Sequence, residues 1–140
     1  MKNDSVQGKS SEAYERAFEY ERDYGNCAQA TLKALLDVFR ENNDTAYRGM
    51  GSFAGGGGAE GDGSCGAYVG GLFYVGMKYG RRFSDIGKDP KDPAAAKAWE
   101  ENRTLAKKLH DTMCPSVCGD AARWAVEVME EHEGEPDPKT

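Results

Sequence analysis

The stretch Phe53-Ala-Gly-Gly-Gly-Gly-Ala-Glu-Gly-Asp-Gly-Ser-Cys-Gly-Ala-Tyr-Val-Gly-Gly-Leu-Phe-Tyr-Val-Gly-Met-Lys-Tyr-Gly80 decides how the chain is read. A glycine run delivers Cys65 to an apolar segment with the character of a buried helix. Ser64 reads as its N-cap, which puts Cys65 in the first turn. Gly66, Ala67, Gly70 and Gly71 leave one side of the following turns almost bare. Glycine costs about 1 kcal/mol against alanine inside a helix, so tight packing or a ligand has to offset several of them. Gly80 reads as the C′ residue that ends the helix.

Working outward towards the N-terminus, residues 1–10 are polar and unpatterned and read as a disordered lead. Ser11 can cap a helix through Tyr24, on which Tyr14, Ala17, Phe18, Glu21 and Tyr24 share a face expected to pack on the core. Gly25 breaks it. Asn26 followed by Gln29 makes a capping-box pattern, so Cys27 occupies the first turn of a second helix with Leu32, Leu35, Leu36 and Phe39 as its apolar stripe. Asp44 can cap a short helical piece, Thr45 to Met50.

Beyond Gly80, Arg81 to Asp92 reads as a loop. Asp92 as N-cap and Pro93 at N1 start a helix to about His110, with Ala96, Trp99, Leu105, Ala106 and Leu109 as inner positions. A last helix starts near Cys114-Pro115, with Val117, Ala121, Trp124, Ala125 and Val128 inward, and residues 134–140 form a flexible tail. No alternating strand pattern and no repeat is present. The expected fold is all-α, a compact bundle of about five helices with a glycine-rich loop before the central one. Residues 11–133 are read as a single domain.

A net charge of -6 and no cluster of Lys or Arg beyond Arg81-Arg82 argue against nucleic-acid binding. No apolar run reaches the roughly 20 residues of a membrane span and no signal peptide is evident, so direct membrane insertion is not expected and a cytoplasmic location is. In a reducing compartment, four cysteines point to metal ligation or thiol redox chemistry before structural disulfides.

The cysteines share a placement. Cys27 and Cys65 each fall in the first turn of a predicted helix, and Cys114 and Cys118 straddle the start of another. A helix N-terminus carries about half a positive charge and unpaired N–H groups, which favour thiolate and lower a cysteine pKa from about 8.5. Residues four apart on a helix have Cβ atoms about 5–6 Å apart, too far for the roughly 3.5–4.5 Å of a disulfide. A metal with bonds of about 2.3 Å bridges that gap for Cys114 and Cys118. The glycine loop adds N–H groups that could cradle an anion, with Gly57, Gly58, Gly63, Ser64 and Gly66 as the cofactor-binding candidates. A P-loop is excluded because no Lys-Ser/Thr follows the glycines, and no strand precedes them to support a dinucleotide fingerprint. The blander readings are a linker of small residues and four buried apolar thiols. His110 and His132 read as surface histidines, with His110 in reserve as a ligand, and Glu60, Asp62 and Asp120 make no convincing acid–base pair.

Cys65-Gly66-Ala67-Tyr68-Val69-Gly70 fits a CGAxxG pattern, with one cysteine well upstream and two near the C-terminus. With Asn26-Cys27-Ala28, Phe53-Ala-Gly-Gly, Met77-Lys-Tyr-Gly80, Cys114-Pro and Asp120-Ala-Ala, the chain resembles the C_GCAxxG_C_C family of redox-active proteins over nearly its whole length. The resemblance implies redox or cluster positions at Cys27, Cys65, Cys114 and Cys118. Cys118 follows Cys114 more closely than the family spacing, so its equivalence to the fourth cysteine stays open. Relatives fused to haem-binding regions imply electron transfer, although this chain lacks Cys-x-x-Cys-His and should bind no covalent haem. The family name defines no reaction or substrate.

The leading expectation is therefore a small helical protein whose four thiolates bind an iron–sulfur centre, [2Fe–2S] first, for electron transfer. The alternative is metal-free thiol–disulfide chemistry, with Cys65 attacking and Cys27 or a C-terminal cysteine resolving. A third reading is a structural module with zinc on four thiolates, serving a membrane transporter or an oxidoreductase as its redox partner. The bare face of the Cys65 helix is also a candidate homodimer contact.

Overall fold

The computed structural model describes residues 3–85 and 93–133, without the side chains of 3–7, 95, 113–118, 120–121, 123–125 and 127–133. The elements are α1 (Asn3–Tyr24), α2 (Cys27–Val38), α3 (Asp44–Gly49), a 3-10 segment Met50–Gly56, α4 (Gly66–Tyr79), a 3-10 turn Phe83–Asp85 and α5 (Pro93–Glu133). Among the described residues there is no strand, and the fold is all-α with five α-helices. The chain divides into two compact units, Met1–Ala106 and Lys107–Thr140, where the sequence reads as one domain.

The first unit is organised on α2. This helix buries Ala28, Ala30, Leu32, Ala34, Leu36 and Val38, positions that cover more than one face, because α1 packs against one side of it and α4 against another. The expected stripe of Leu32, Leu35, Leu36 and Phe39 is half of that pattern. Leu32 and Leu36 join Ala28, Met50 and Tyr74 in the core, with Leu35, Ala46, Val69 and Met77 against its edge. Phe39 remains 46 % exposed and stacks on Tyr74, ring centroids 5.5 Å apart.

The approach of α4 to α2 explains its glycines. A Cβ on Gly70 would stand 2.7 Å from the Ala28 carbonyl oxygen and 3.1 Å from Thr31 Cβ, so only a residue without a side chain admits the two backbones. Gly66, Gly70 and Gly71 are all buried, which means the bare face expected to join two chains is used inside one. At the far end, Tyr74 donates to Glu41, which also pairs with Lys78. Gly80 closes α4 in an extended conformation, φ -70°, and not as a left-handed C′ residue.

Against α1 the contact is partly polar. The Tyr20 hydroxyl donates to Asp37 Oδ2 at 2.6 Å, and Arg16 and Lys33 pair with the same carboxylate, which is held below the usual carboxylate range by these partners despite burial. The half-buried face of α1 is Ala13, Arg16, Ala17 and Tyr20. The aromatic stripe expected inside is outside: Tyr14, Phe18 and Tyr24 are 68, 57 and 82 % exposed. The inward face is the one that carries Arg16 and Tyr20 to Asp37 of α2.

Other differences are local. α1 is helical from Asn3, where a disordered lead to residue 10 is expected. Asn43, not Asp44, caps α3, its side chain accepting from the Ala46 N–H at 3.0 Å. α5 continues through Pro115, where the sequence predicts a new helix. An internal proline costs about 3 kcal/mol, and the adjoining residues, Asp111-Thr-Met-Cys114 and Ser116-Val-Cys-Gly119, include few strong helix formers to offset it. Trp99 and Ala96, expected inward, are exposed, while Leu105 and Ala106 are half-buried as expected. The inward positions of the last predicted helix, the tail 134–140 and the loop 86–92 lie outside the described side chains or residues.

Two tests follow from the α2–α4 contact. Gly70→Ala should lower stability by about 1–3 kcal/mol through overpacking, although alanine is the better helix former. Gly76→Ala, whose Cβ meets nothing within 4 Å, should instead be neutral or stabilising by up to about 1 kcal/mol. Urea unfolding of both variants checks the pair, and equal effects would contradict the contact. The Tyr74 hydroxyl is pushed up to about 12 by burial and then by Glu41. An acid held neutral in the fold contributes stability below its ordinary pKa of about 10 and loses it as pH rises through the folded value. The stability lead of the wild type over Tyr74→Phe should therefore shrink between about pH 10 and 12, and a constant difference would contradict it.

Candidate thiol site at the start of α4

The site begins with the clamp that starts α2. Asn26 takes a left-handed conformation, φ 68°, and its Oδ1 accepts from the Gln29 N–H at 3.1 Å. This is half of the expected capping box. The Gln29 side chain does not return to Asn26 but donates to the Tyr47 carbonyl, while Asn26 Nδ2 donates to the Gly51 carbonyl, both at 3.0 Å. The start of α2 is thereby bonded to α3 and to the 3-10 segment, and Cys27, the first residue of α2, is fixed between them.

Cys27 is half-buried, and its thiol lies directly against the first residue of α4. A Cβ built on Gly66 would be 2.6 Å from Cys27 Sγ, 2.8 Å from the Phe53 carbonyl oxygen and 3.2 Å from Ala28 Cβ. Gly66 is thus the residue whose missing side chain makes room for the Cys27 sulfur. The residue before it is Cys65, exposed and not engaged in a disulfide. Cys65 is itself the N-cap of α4, where Ser64 is expected, because its carbonyl accepts the first helical bond, from Val69 N–H at 3.0 Å. Its side chain makes no capping hydrogen bond. Two cysteines separated along the sequence therefore reach the same helix start, one from beneath and one at the surface.

The glycine loop that leads there is folded on itself. Gly55, Gly56, Gly57, Gly58, Ala59 and Gly61 all have positive φ, which explains the run of glycines. Gly56 and Gly63 touch backbone to backbone: a Cβ on Gly63 would fall 2.2 Å from the Gly56 carbonyl oxygen. The N–H of Gly57 is donated to Ala54 O at 3.1 Å and that of Gly58 to Ser52 O at 2.8 Å. Those two groups are spent holding the loop. Of the five cofactor-binding candidates, Gly63, Ser64 and Gly66 sit at the entry to α4 beside the thiols.

Cys114 and Cys118 belong to α5, and their side chains lie outside the described residues, as does that of His132. His110, the reserve ligand, is exposed and lies 3.4 Å from Asp111. Among the described residues no group of three or more His, Cys, Asp or Glu side chains is placed to hold a metal ion. Glu60 and Asp62 are exposed on the glycine loop. No described helix is long and apolar enough to cross a membrane. Sequence reasoning had Asn26 as a cap and Gly66 as a tight-packing residue, but missed the partners through which they position the thiols, Gly51 and Cys27, which are distant in sequence.

Neither a curated protein nor a solved structure matches the chain. A family model described as "Putative redox-active protein (C_GCAxxG_C_C)" matches residues 25–132. That span contains all four cysteines, the glycine loop and the Cys27–Gly66 contact, and by this match the chain belongs to the C_GCAxxG_C_C family.

Proposed function

We propose that this redox-active protein works through the Cys27 and Cys65 thiols as a dithiol–disulfide couple. The observation that carries the reading is the position of Cys27 Sγ against Gly66, the residue next to Cys65. The difference in exposure assigns the roles. Cys65 is the exposed sulfur and meets a disulfide on a partner oxidoreductase. As thiolate it attacks one sulfur of that disulfide, forms a mixed disulfide and releases the first partner thiol. Cys27 then attacks the Cys65 sulfur, closes the internal disulfide and releases the second. Two electrons pass to the partner, and the two protons left by Cys27 and Cys65 balance the two thiols formed. The start of α4, where the Cys65 side chain makes no capping hydrogen bond, is the positive end of the helix dipole and is suited to an anionic sulfur.

The same placement at a helix start favours a second reading, in which Cys27 and Cys65 supply two thiolate ligands to an iron–sulfur centre or to zinc. An iron–sulfur centre would supply one-electron transfer, and the N–H groups beside it would offset its negative charge.

Thiol counting separates the two. In a chain carrying Cys114→Ser and Cys118→Ser, mild oxidation with oxidised glutathione should remove both remaining thiols together, reversibly, and yield a linked Cys27–Cys65 peptide. Independent glutathionylation of each cysteine would contradict the couple. Full-length protein purified without oxygen should contain iron and acid-labile sulfide, or zinc, at a level that Cys27→Ser abolishes if the second reading holds; metal-free, colourless protein would end it.

A further inference from the structure

On the side of α2 that faces α1, three tyrosines from two other helices meet in a cleft that the thiol chemistry does not use. Tyr20 and Tyr24 of α1, Tyr47 of α3, and Gly25, Ala30 and Lys33 line a cavity of about 300 Å³. That volume is at the small end of the range for organic ligands. The floor is fixed: Ala30 is buried, the Tyr20 hydroxyl is bonded to Asp37, and the Tyr47 carbonyl accepts from Gln29. Tyr24 forms the outer wall, and its ring centroid is 6.4 Å from that of Tyr20 at an angle of 47°.

The charges select the ligand. A cage of tyrosines is a site for an organic cation when its ring faces are open. Here Lys33 already holds that position, with its Nζ 5.6 Å from the Tyr20 ring centroid. Lys33 is in turn neutralised by Asp37, so an anion gains little from it. What the cleft still offers is aromatic surface, with the Tyr20 and Tyr24 rings paired at its side and Tyr47 in its lining. We propose that it binds a flat, uncharged aromatic compound of one or two rings, packed against the tyrosines. The site opens beside Gly25, two residues before Cys27, but its binding does not depend on the thiols.

The test uses 2-naphthol as probe and the full chain, with binding followed by saturation-transfer NMR. Saturable binding is expected, with a dissociation constant on the order of a millimolar or below. Tyr24→Leu and Tyr47→Leu should each weaken it about tenfold, the loss of one aromatic contact. Tyr14→Leu, an exposed tyrosine of α1 outside the cleft, should leave it unchanged. Tyr24 is 82 % exposed, so its replacement leaves the core intact, and circular dichroism verifies this. Absence of saturation, equal binding by all three variants, or displacement of 2-naphthol by tetramethylammonium would overturn the proposal. A Cys27→Ser/Cys65→Ser chain should bind as the wild type does, so failure of the thiol couple and failure of this site are read separately.

Discussion

The arrangement depends on the absence of side chains where α4 meets α2. Gly66 and Gly70 leave no atoms between the two helices, and a Cβ at either would fall within 3 Å of an oxygen or sulfur atom on the other side. Glycine inside a helix is costly, and this contact is what the cost secures. It brings the start of α4 onto the start of α2, so that Cys27 Sγ lies against Gly66, the residue next to Cys65. A core of few large side chains, Leu32, Met50 and Tyr74 among them, then suffices to hold the helices at this spacing.

The surrounding segments serve the same junction. Asn26 links α2 to Gly51, and Gln29 links it to Tyr47, so the loop preceding α4 is attached to the helix that carries Cys27. The left-handed glycine run turns the chain back from there to Cys65. The loop consumes part of its own hydrogen-bonding capacity in doing so. The result is one exposed and one half-buried cysteine at the same helix start.

Features governed by neighbours in sequence were legible. The Asn26 cap, Cys27 at the start of α2, the all-α class and the packing demand of Gly66 and Gly70 could be read from spacing alone. The face of α1 could not, because Tyr14, Phe18 and Tyr24 and the set Ala13, Arg16, Ala17 and Tyr20 both recur at helical spacing; the partner that chooses between them, Asp37 of α2, is distant in sequence. Pro115 gave a local signal for a helix boundary, yet α5 runs on through it to Glu133. The contact between Cys27 and Gly66 joins residues distant in sequence; Gly66 was legible only as a demand for tight packing or a ligand, and the structure supplies the packing.

The central claim is that the Cys27 and Cys65 sulfurs share one junction in the folded protein. Dibromobimane, which becomes strongly fluorescent when both of its short arms alkylate thiols, measures this directly in a chain whose other cysteines are serine. The account predicts rapid fluorescence from the native protein, a cross-linked Cys27–Cys65 peptide, and loss of the signal in urea. Native protein that takes up the reagent on Cys65 alone, dark and without cross-link, would contradict it.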